Sequence, residues 1–299
     1  MKTEKNKLIK HIPVMVDEVL KYLKLTAPLK NQATIIDATS GLGGHSLEIC
    51  KKDVRLLSID TDKGFVEKTK EKLKDCENSK VVWGNFKDIG EISRKEGFSR
   101  VDGILFDLGL NTSQLTSPKR GFSFQEPSAR LDMRLDRKNQ KVKASDLLNS
   151  LREDQLFGLF EEYLGYKKAK SLSAKVVSTR NLKPFFNVKD FLTLFPEKIG
   201  KKVHPATKSF MALRIAVNME LDSLREALEG SLELLKKDGR LVIISFHSGE
   251  DRIVKKFFKE KEGGGSLKII TQKPILPSEE EVERNKSARS AKLRVVTKI

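Results

Sequence analysis

An α/β fold, in which a mostly parallel sheet is interrupted by an inserted helical domain, is predicted by three observations. Short apolar runs alternate with charged stretches of helical period through the first third of the chain. A glycine-rich turn, Gly41-Leu42-Gly43-Gly44, joins the first run to the helix that follows it. About 95 residues with no strand pattern then follow the fourth run, before an amphipathic helix that begins near Phe210.

Taken in order, an opening helix is expected near Val14 to Leu25, then strands over Thr34–Ala38, Arg55–Asp60, Lys80–Gly84 and Gly103–Leu108. A loop holding Pro118, Gly121 and Pro127 opens the insertion. Residues 116–208 are read as a helical domain inserted between 1–115 and 209–299. From Phe210 one long amphipathic helix is expected, its core stripe stepping by threes and fours through Phe210, Leu213, Val217, Leu221, Leu224, Leu228, Leu232 and Leu235. Asp238-Gly239 should end it, with Leu241–Ser245 the fifth strand. Leu267–Gln272 and Lys292–Thr297 read as closing strands joined by an acidic turn at Glu279–Glu283.

Charge narrows the partners. The 299 residues carry 58 Lys+Arg against 41 Asp+Glu, a net +17. Residues 116–208 hold 20 basic and 10 acidic groups, and 246–299 hold 13 and 8. Most of the excess thus lies outside the glycine turn, as expected of a polyanion-binding surface, most plausibly for nucleic acid. A solvated lysine-rich surface is the plainer alternative. Cys50 and Cys76 show neither metal spacing nor a disulfide framework, and no apolar run reaches membrane-span length. The expectation is a cytoplasmic protein with reduced thiols and no membrane contact. The four histidines, His11, His45, His204 and His247, are scattered, so no metal site is expected.

The segment from Thr34 to Asp60 reads as a cofactor site. Glycines at 41, 43 and 44 let the backbone turn tightly and approach a ligand, the next helix offers free N–H groups, and Asp60 closes the second strand where a ribose diol would lie. A dinucleotide clasp would need glycine at position 46, where Ser46 stands. The spacing Asp37-x-x-x-Gly41-x-Gly43 instead resembles the first motif of class I S-adenosylmethionine (SAM) methyltransferases, in which Asp37 would organise the turn and meet the ammonium. Asp107 to Gln114 after strand four and Phe246 to Arg252 after strand five should reach the same sheet edge. Each has a plainer reading: Asp107 as a turn cap, His247 as a structural histidine.

Carbon methylation of a pyrimidine needs a thiolate adduct, and neither cysteine sits in a strand-end loop, which leaves nitrogen or oxygen as acceptor. An exocyclic amine needs hydrogen-bond acceptors that hold its NH₂ and aim nitrogen at the methyl group. Asp107 and Asn111 are the catalytic candidates for that task.

Together with His11-Ile12-Pro13-Val14, Arg120-Gly121-Phe122-Ser123-Phe124, Leu131-Asp132-Met133-Arg134, His204-Pro205-Ala206-Thr207, Ala212 to Asn218, Ile244 to Ser248, Glu250-Asp251-Arg252 and Ala288 to Arg294, these motifs make the chain resemble the MraW (RsmH) ribosomal-RNA methyltransferases along nearly its whole length. The resemblance implies a class I SAM-dependent fold, mostly parallel with an antiparallel last strand, and N4-methylation of a cytidine in 16S rRNA of the small ribosomal subunit near the decoding centre. It implies SAM contacts from Gly43, Gly44, His45, Asp60, Phe86, Asp107 and Gln114, beside Asp37 and Gly41 of the turn. Phe86 would stack on adenine, or else be a core aromatic. RNA contacts are expected from the insertion, with Arg120, Arg134, Arg214, His247, Arg252, Arg289 and Arg294 as candidates, some of which will pair with acids such as Asp132 or Glu250. A homodimer is left open. The chain departs from the family at Leu110-Asn111-Thr112, Leu164-Gly165, Met211, Gly249 and Lys286-Ser287. Two alternatives stand beside this reading: a non-catalytic assembly factor on the same scaffold, and a nucleotide-dependent oxidoreductase, which Ser46 and the basic insertion disfavour.

Overall fold

The computed structural model describes residues 12–27, 32–110, 114, 120–196 and 204–299. Seven strands form one sheet: β1 Thr34–Asp37, β2 Arg55–Asp60, β3 Ser79–Trp83, β4 Val101–Asp107, β5 Leu235–Ser245, β6 Leu267–Ile269 and β7 Lys292–Lys298. The helices are α1 Val16–Tyr22, α2 Gly44–Cys50, α3 Lys63–Lys72, α4 Ile89–Lys95, α5 Ala144–Ser150, α6 Glu153–Leu164, α7 Tyr166–Leu182, α8 Val188–Leu192, α9 Thr207–Asn218, α10 Glu220–Leu234, α11 Ser248–Gly263 and α12 Glu279–Arg284.

The strand order is β3-β2-β1-β4-β5-β7-β6. β1 to β5 pair in parallel, while β7 runs antiparallel between β5 and β6. Parallel strands are covered on both faces, which is why they read as apolar runs: Ile35, Ile36, Leu56, Leu57, Ile59, Ile104, Leu105 and Phe106 are fully buried. The chain leaves β1 in one direction through β2 and β3 and resumes on the other side at β4. Strands β1 and β4 therefore flank the point where strand order reverses, the crevice in which open α/β sheets bind ligands.

The chain divides into two compact units, one of residues 1–109 with 225–299 and the other of 110–224. The helical unit has its own core, in which Leu131, Phe160, Val176, Phe185 and Phe191 pack with Phe210, Leu213 and Val217. The last three lie on α9, so this unit runs past the expected boundary at residue 208. The long helix expected from Phe210 to Leu235 is two helices. Met219 adopts a left-handed conformation (φ 49°) between them, and the Asn218 amide donates to the carbonyls of Arg214 and Met133, both at 2.8 Å. Its oxygen accepts from Leu135 N–H at 2.9 Å. The stripe is thus shared, its first part packing in the helical core. Asp238-Gly239 does not end a helix either. It lies inside β5, where the pairing with β4 jumps from Val101↔Leu235 to Gly103↔Arg240, and a Cβ on Gly239 would sit 2.8 Å from the Lys236 carbonyl oxygen. The acidic turn is helix α12, capped by Ser278.

Cys50 and Cys76, expected as separate thiols, are joined in a disulfide, their Cα atoms 6.2 Å apart. One closes α2 and the other follows α3. Their sequence separation of 26 hides this proximity. Among the described residues, no helix is long and apolar enough to cross a membrane.

Candidate active site

The glycine turn is held from below. Gly41 and Gly43 take positive φ (51° and 70°), conformations that a side chain disfavours. Gly41 N–H donates to Asp60 Oδ2 at 2.7 Å, and Thr69 Oγ donates to the Gly41 carbonyl at 3.0 Å. A Cβ on Gly43 would lie 3.0 Å from the Thr69 side chain, and one on Gly44 3.0 Å from Pro13. The turn therefore sits against α3 with no room for larger residues. Thr69 lies 28 residues beyond Gly41, and no local pattern in the sequence announces its part.

Asp37 is fully enclosed. Its Oδ2 accepts from Ser46 Oγ at 2.6 Å, which in turn accepts from Ser58 Oγ at 2.9 Å, and its Oδ1 accepts from Thr39 N–H at 3.3 Å. Ser46, the residue that breaks the dinucleotide pattern, is thus the group that holds Asp37. Of the two tasks expected of Asp37, organising the turn is the one its contacts display. Burial pushes its carboxyl up, more than Ser46 and His45 bring it down.

Asp60 at the end of β2 accepts from Gly41 and from Asp62 N–H, both at 2.7 Å, and burial pushes its carboxyl up to about 6 despite those bonds. Asp107 at the end of β4 is the least satisfied of the three. Its N–H donates to Thr39 Oγ at 2.7 Å, but its buried Oδ1 has no hydrogen-bond partner among the described residues. Burial first, then the Asp37 and Glu250 carboxylates, raise it to about 6, while His45 pulls the other way. His45 Nδ1 lies 3.4 Å from Asp107 Oδ2, and Nε2 lies 2.8 Å from the Val14 carbonyl. A carbonyl only accepts, so Nε2 carries hydrogen, and the Nδ1···Oδ2 contact is favourable only with a further proton between the two groups.

Beyond β5, His247 caps α11. The Glu250 carboxylate accepts from Phe246 N–H (2.8 Å) and His247 N–H (3.2 Å), and His247 Nδ1 faces Glu250 N–H at 3.4 Å. The histidine-serine-glycine-glutamate motif is thus a helix-capping box, and the structural reading of His247 has a direct basis. Phe86, in the turn after β3, is half-buried with its ring edge-on to Phe106, centroids 5.9 Å apart. Gln114 is buried in the helical unit. Asn111 lies outside the described residues.

The arginines sort by what they already hold. Arg134 forms a bidentate pair with Asp132 (2.6 and 3.0 Å) and donates to the Gln140 carbonyl. Arg294 grips Asp251 at 2.6 and 3.3 Å and is 8% exposed. Arg214 pairs with Glu220 at 2.8 Å. These three are tied into the protein. Arg252 and Arg289 are exposed, and Arg120 is half-buried.

The MraW methylase family model matches residues 8–299. A protein of Carboxydothermus hydrogenoformans named ribosomal RNA small subunit methyltransferase H is 39% identical, covering 97% of this chain and 98% of that one. One of the same name from Caldicellulosiruptor saccharolyticus is 40% identical over 98% of this chain and all of that one. Among solved structures, a putative methyltransferase from Streptococcus mutans in complex with SAH is 15% identical with a TM-score of 0.47, covering 97% of this chain and all of that one. The family match over residues 8–299, with relatives 39% and 40% identical along nearly the whole chain, places this chain in the MraW methylase family.

Proposed function

We propose that this protein methylates N4 of a cytidine in small-subunit (16S) rRNA near the decoding centre, with SAM as methyl donor. The observation that carries the reading is the strand-end carboxyl cluster. Asp37 is buried and Asp60 and Asp107 are partly buried beside it; burial raises all three, and His45 is the basic group that opposes this at Asp37 and Asp107. Such a site is short of positive charge, and a ligand with an ammonium and a sulfonium relieves it. Gly41 and Gly43, both at positive φ, let the backbone turn tightly at the strand end where such a ligand would lie. Phe86 stands in the turn after β3 as the flat apolar contact for adenine.

When bound, SAM supplies a methyl group on positively charged sulfur. Asp60 would take the ribose hydroxyls on its remaining lone pairs. Asp107 offers the acceptor its neighbours leave unused: Oδ1, buried and without a hydrogen-bond partner among the described residues, can receive an N–H of the exocyclic amine and aim the nitrogen lone pair at the methyl carbon. Methyl transfer leaves nitrogen positively charged, and that nitrogen then sheds a proton to water or to Asp107. A base in stacked RNA must be unstacked to enter such a pocket. By the same reading, the family's RNA contacts would come from the exposed Arg289 rather than from the three arginines held by acids.

The test is methyl transfer from labelled SAM to small subunits isolated from a strain lacking this protein, with the modified nucleoside identified by mass spectrometry. N4-methylcytidine at one site, absent with Asp60→Ala and Asp107→Ala, is the expected result. Subunit binding without transfer would move the protein to the assembly-factor reading.

A further inference from the structure

Helix α7 of the helical unit presents a face of exposed lysines that no acidic group among the described residues pairs with. From Tyr166 to Lys189 the chain carries Lys167, Lys168, Lys170, Lys175, Arg180, Lys183 and Lys189 and not one acidic residue. The helix buries Ala169, Leu172, Ser173 and Val176, which turns Lys167, Lys168, Lys170 and Lys175 to solvent, where all four are exposed. Arg180 and Lys183 are used inside the fold, on the carbonyls of Leu148 and Leu151 and on Asp190.

The pattern is unfavourable to the helix itself. Elsewhere several exposed lysines are matched at helical spacing, as in Lys51–Glu48, Lys70–Glu67, Lys74–Glu71 and Lys256–Glu260. On α7 every position three or four residues from an exposed lysine lacks an acid, and Lys167 and Lys170 repel at i, i+3. Lys167 and Lys168 also occupy the first turn, which holds no acidic residue, where cations oppose the helix dipole. Stability therefore does not account for the arrangement. Beside the lysines stands Tyr166, 60% exposed, its ring edge-on to Phe157 at 5.3 Å and near Lys170 Nζ at 5.9 Å. A fixed aromatic among unpaired cations suits an unstacked base next to phosphates.

We propose that this α7 face, Tyr166, Lys167, Lys168, Lys170 and Lys175, binds the backbone of the substrate RNA. The assignment of RNA as occupant rests on the methyltransferase reading above, and it places the main phosphate contacts of the helical unit on lysines rather than on the motif arginines. The experiment uses the full chain with Lys167→Glu, Lys168→Glu and Lys175→Glu combined. Glutamate in the first turn favours the helix, so the variant should fold, and its SAM affinity should equal that of the parent. A control reverses Lys68 and Lys70 on α3 and Lys74 just beyond it. Binding to small subunits is measured from low to moderate salt. The α7 variant should bind on the order of tenfold more weakly, with a salt slope reduced by about 2, since each single-strand phosphate contact contributes about 0.7. The KM for subunits should rise with kcat unchanged. An unchanged slope, an equal loss in the control, or loss of binding to anionic phosphatidylserine vesicles without loss of RNA binding would each overturn the proposal. α7-dependent RNA binding by a parent that transfers no methyl would instead refute only the catalytic reading.

Discussion

Replacing Asp107 by asparagine should stabilise the protein while removing its activity, and the size of the gain follows from the surroundings of this carboxyl. Asp107 ionises at about 6 in the folded protein, against roughly 3.9 for an exposed aspartate. A carboxyl that titrates about two pH units higher folded than unfolded costs the native state about 3 kcal/mol once it is ionised in both. The sign is set by the raised value. Below roughly pH 4 the group is protonated in both states and its favourable contribution is complete; as pH rises through about 6 that contribution is lost. Asparagine imitates the protonated acid and does not titrate. Its amide can also donate to His45 Nδ1, because Nε2 carries the hydrogen directed at the Val14 carbonyl. Urea unfolding from pH 4.5 to 8 should therefore show a gap between variant and parent that is small in acid and grows toward about 3 kcal/mol at pH 8. A gap independent of pH, or a variant less stable than the parent at pH 8, would refute the description of Asp107 as an ion buried at a loss.

Four other outcomes follow. SAM affinity should fall below about pH 6, as protonation of Asp60 and Asp107 removes the charges that attract it; Trp83, paired in register with Asp60, gives a fluorescence signal for the titration, and a flat profile down to pH 5 would contradict this. Gly43→Ala, placing a methyl 3.0 Å from Thr69 at a positive φ, should cost about 1–2 kcal/mol of stability and weaken SAM binding, read by calorimetry. Arg294→Ala, which leaves Asp251 with Lys292 at 3.6 Å as its ion-pair partner, should cost about 1–3 kcal/mol in thermal unfolding, whereas Arg289→Ala should leave stability untouched. Thiol titration of the unfolded, unreduced protein should find no free cysteine, and a reductant should lower stability by about 3 kcal/mol, as for a loop of this length; two titratable thiols would exclude the bridge.

The sheet and the cofactor turn were legible because their signals are local. Ile35-Ile36, Leu56-Leu57 and Ile104-Leu105-Phe106 are apolar on both faces, and the Asp37–Gly43 turn and the Asp60 strand end lie within 24 residues of one another. What escaped the sequence depends on partners far along the chain. The break at Met219 leaves the apolar stepping intact, since one left-handed residue displaces no leucine. Asp238-Gly239 resembles a helix stop, and only the neighbouring β4 shows that it is a bulge. The motif arginines read as RNA ligands until Asp132, Glu220 and Asp251 are seen to hold three of them. Cysteine pairing and the support of Gly43 by Thr69 likewise need the packing of α2 and α3.

The placement of β7 between β5 and β6 dictates an order of events during synthesis. Residues 110–224 contain everything their own core requires, whereas β4 must wait for β5, and β5 for Lys292–Lys298, before its edge is covered. On a translating ribosome the insertion can close first, with the half-built sheet on its N-terminal side still exposing the edge of β4. Nascent chains halted once residue 224 has left the ribosome, before Lys292 has been added, should therefore protect the helical unit from protease while the glycine turn remains open to cleavage.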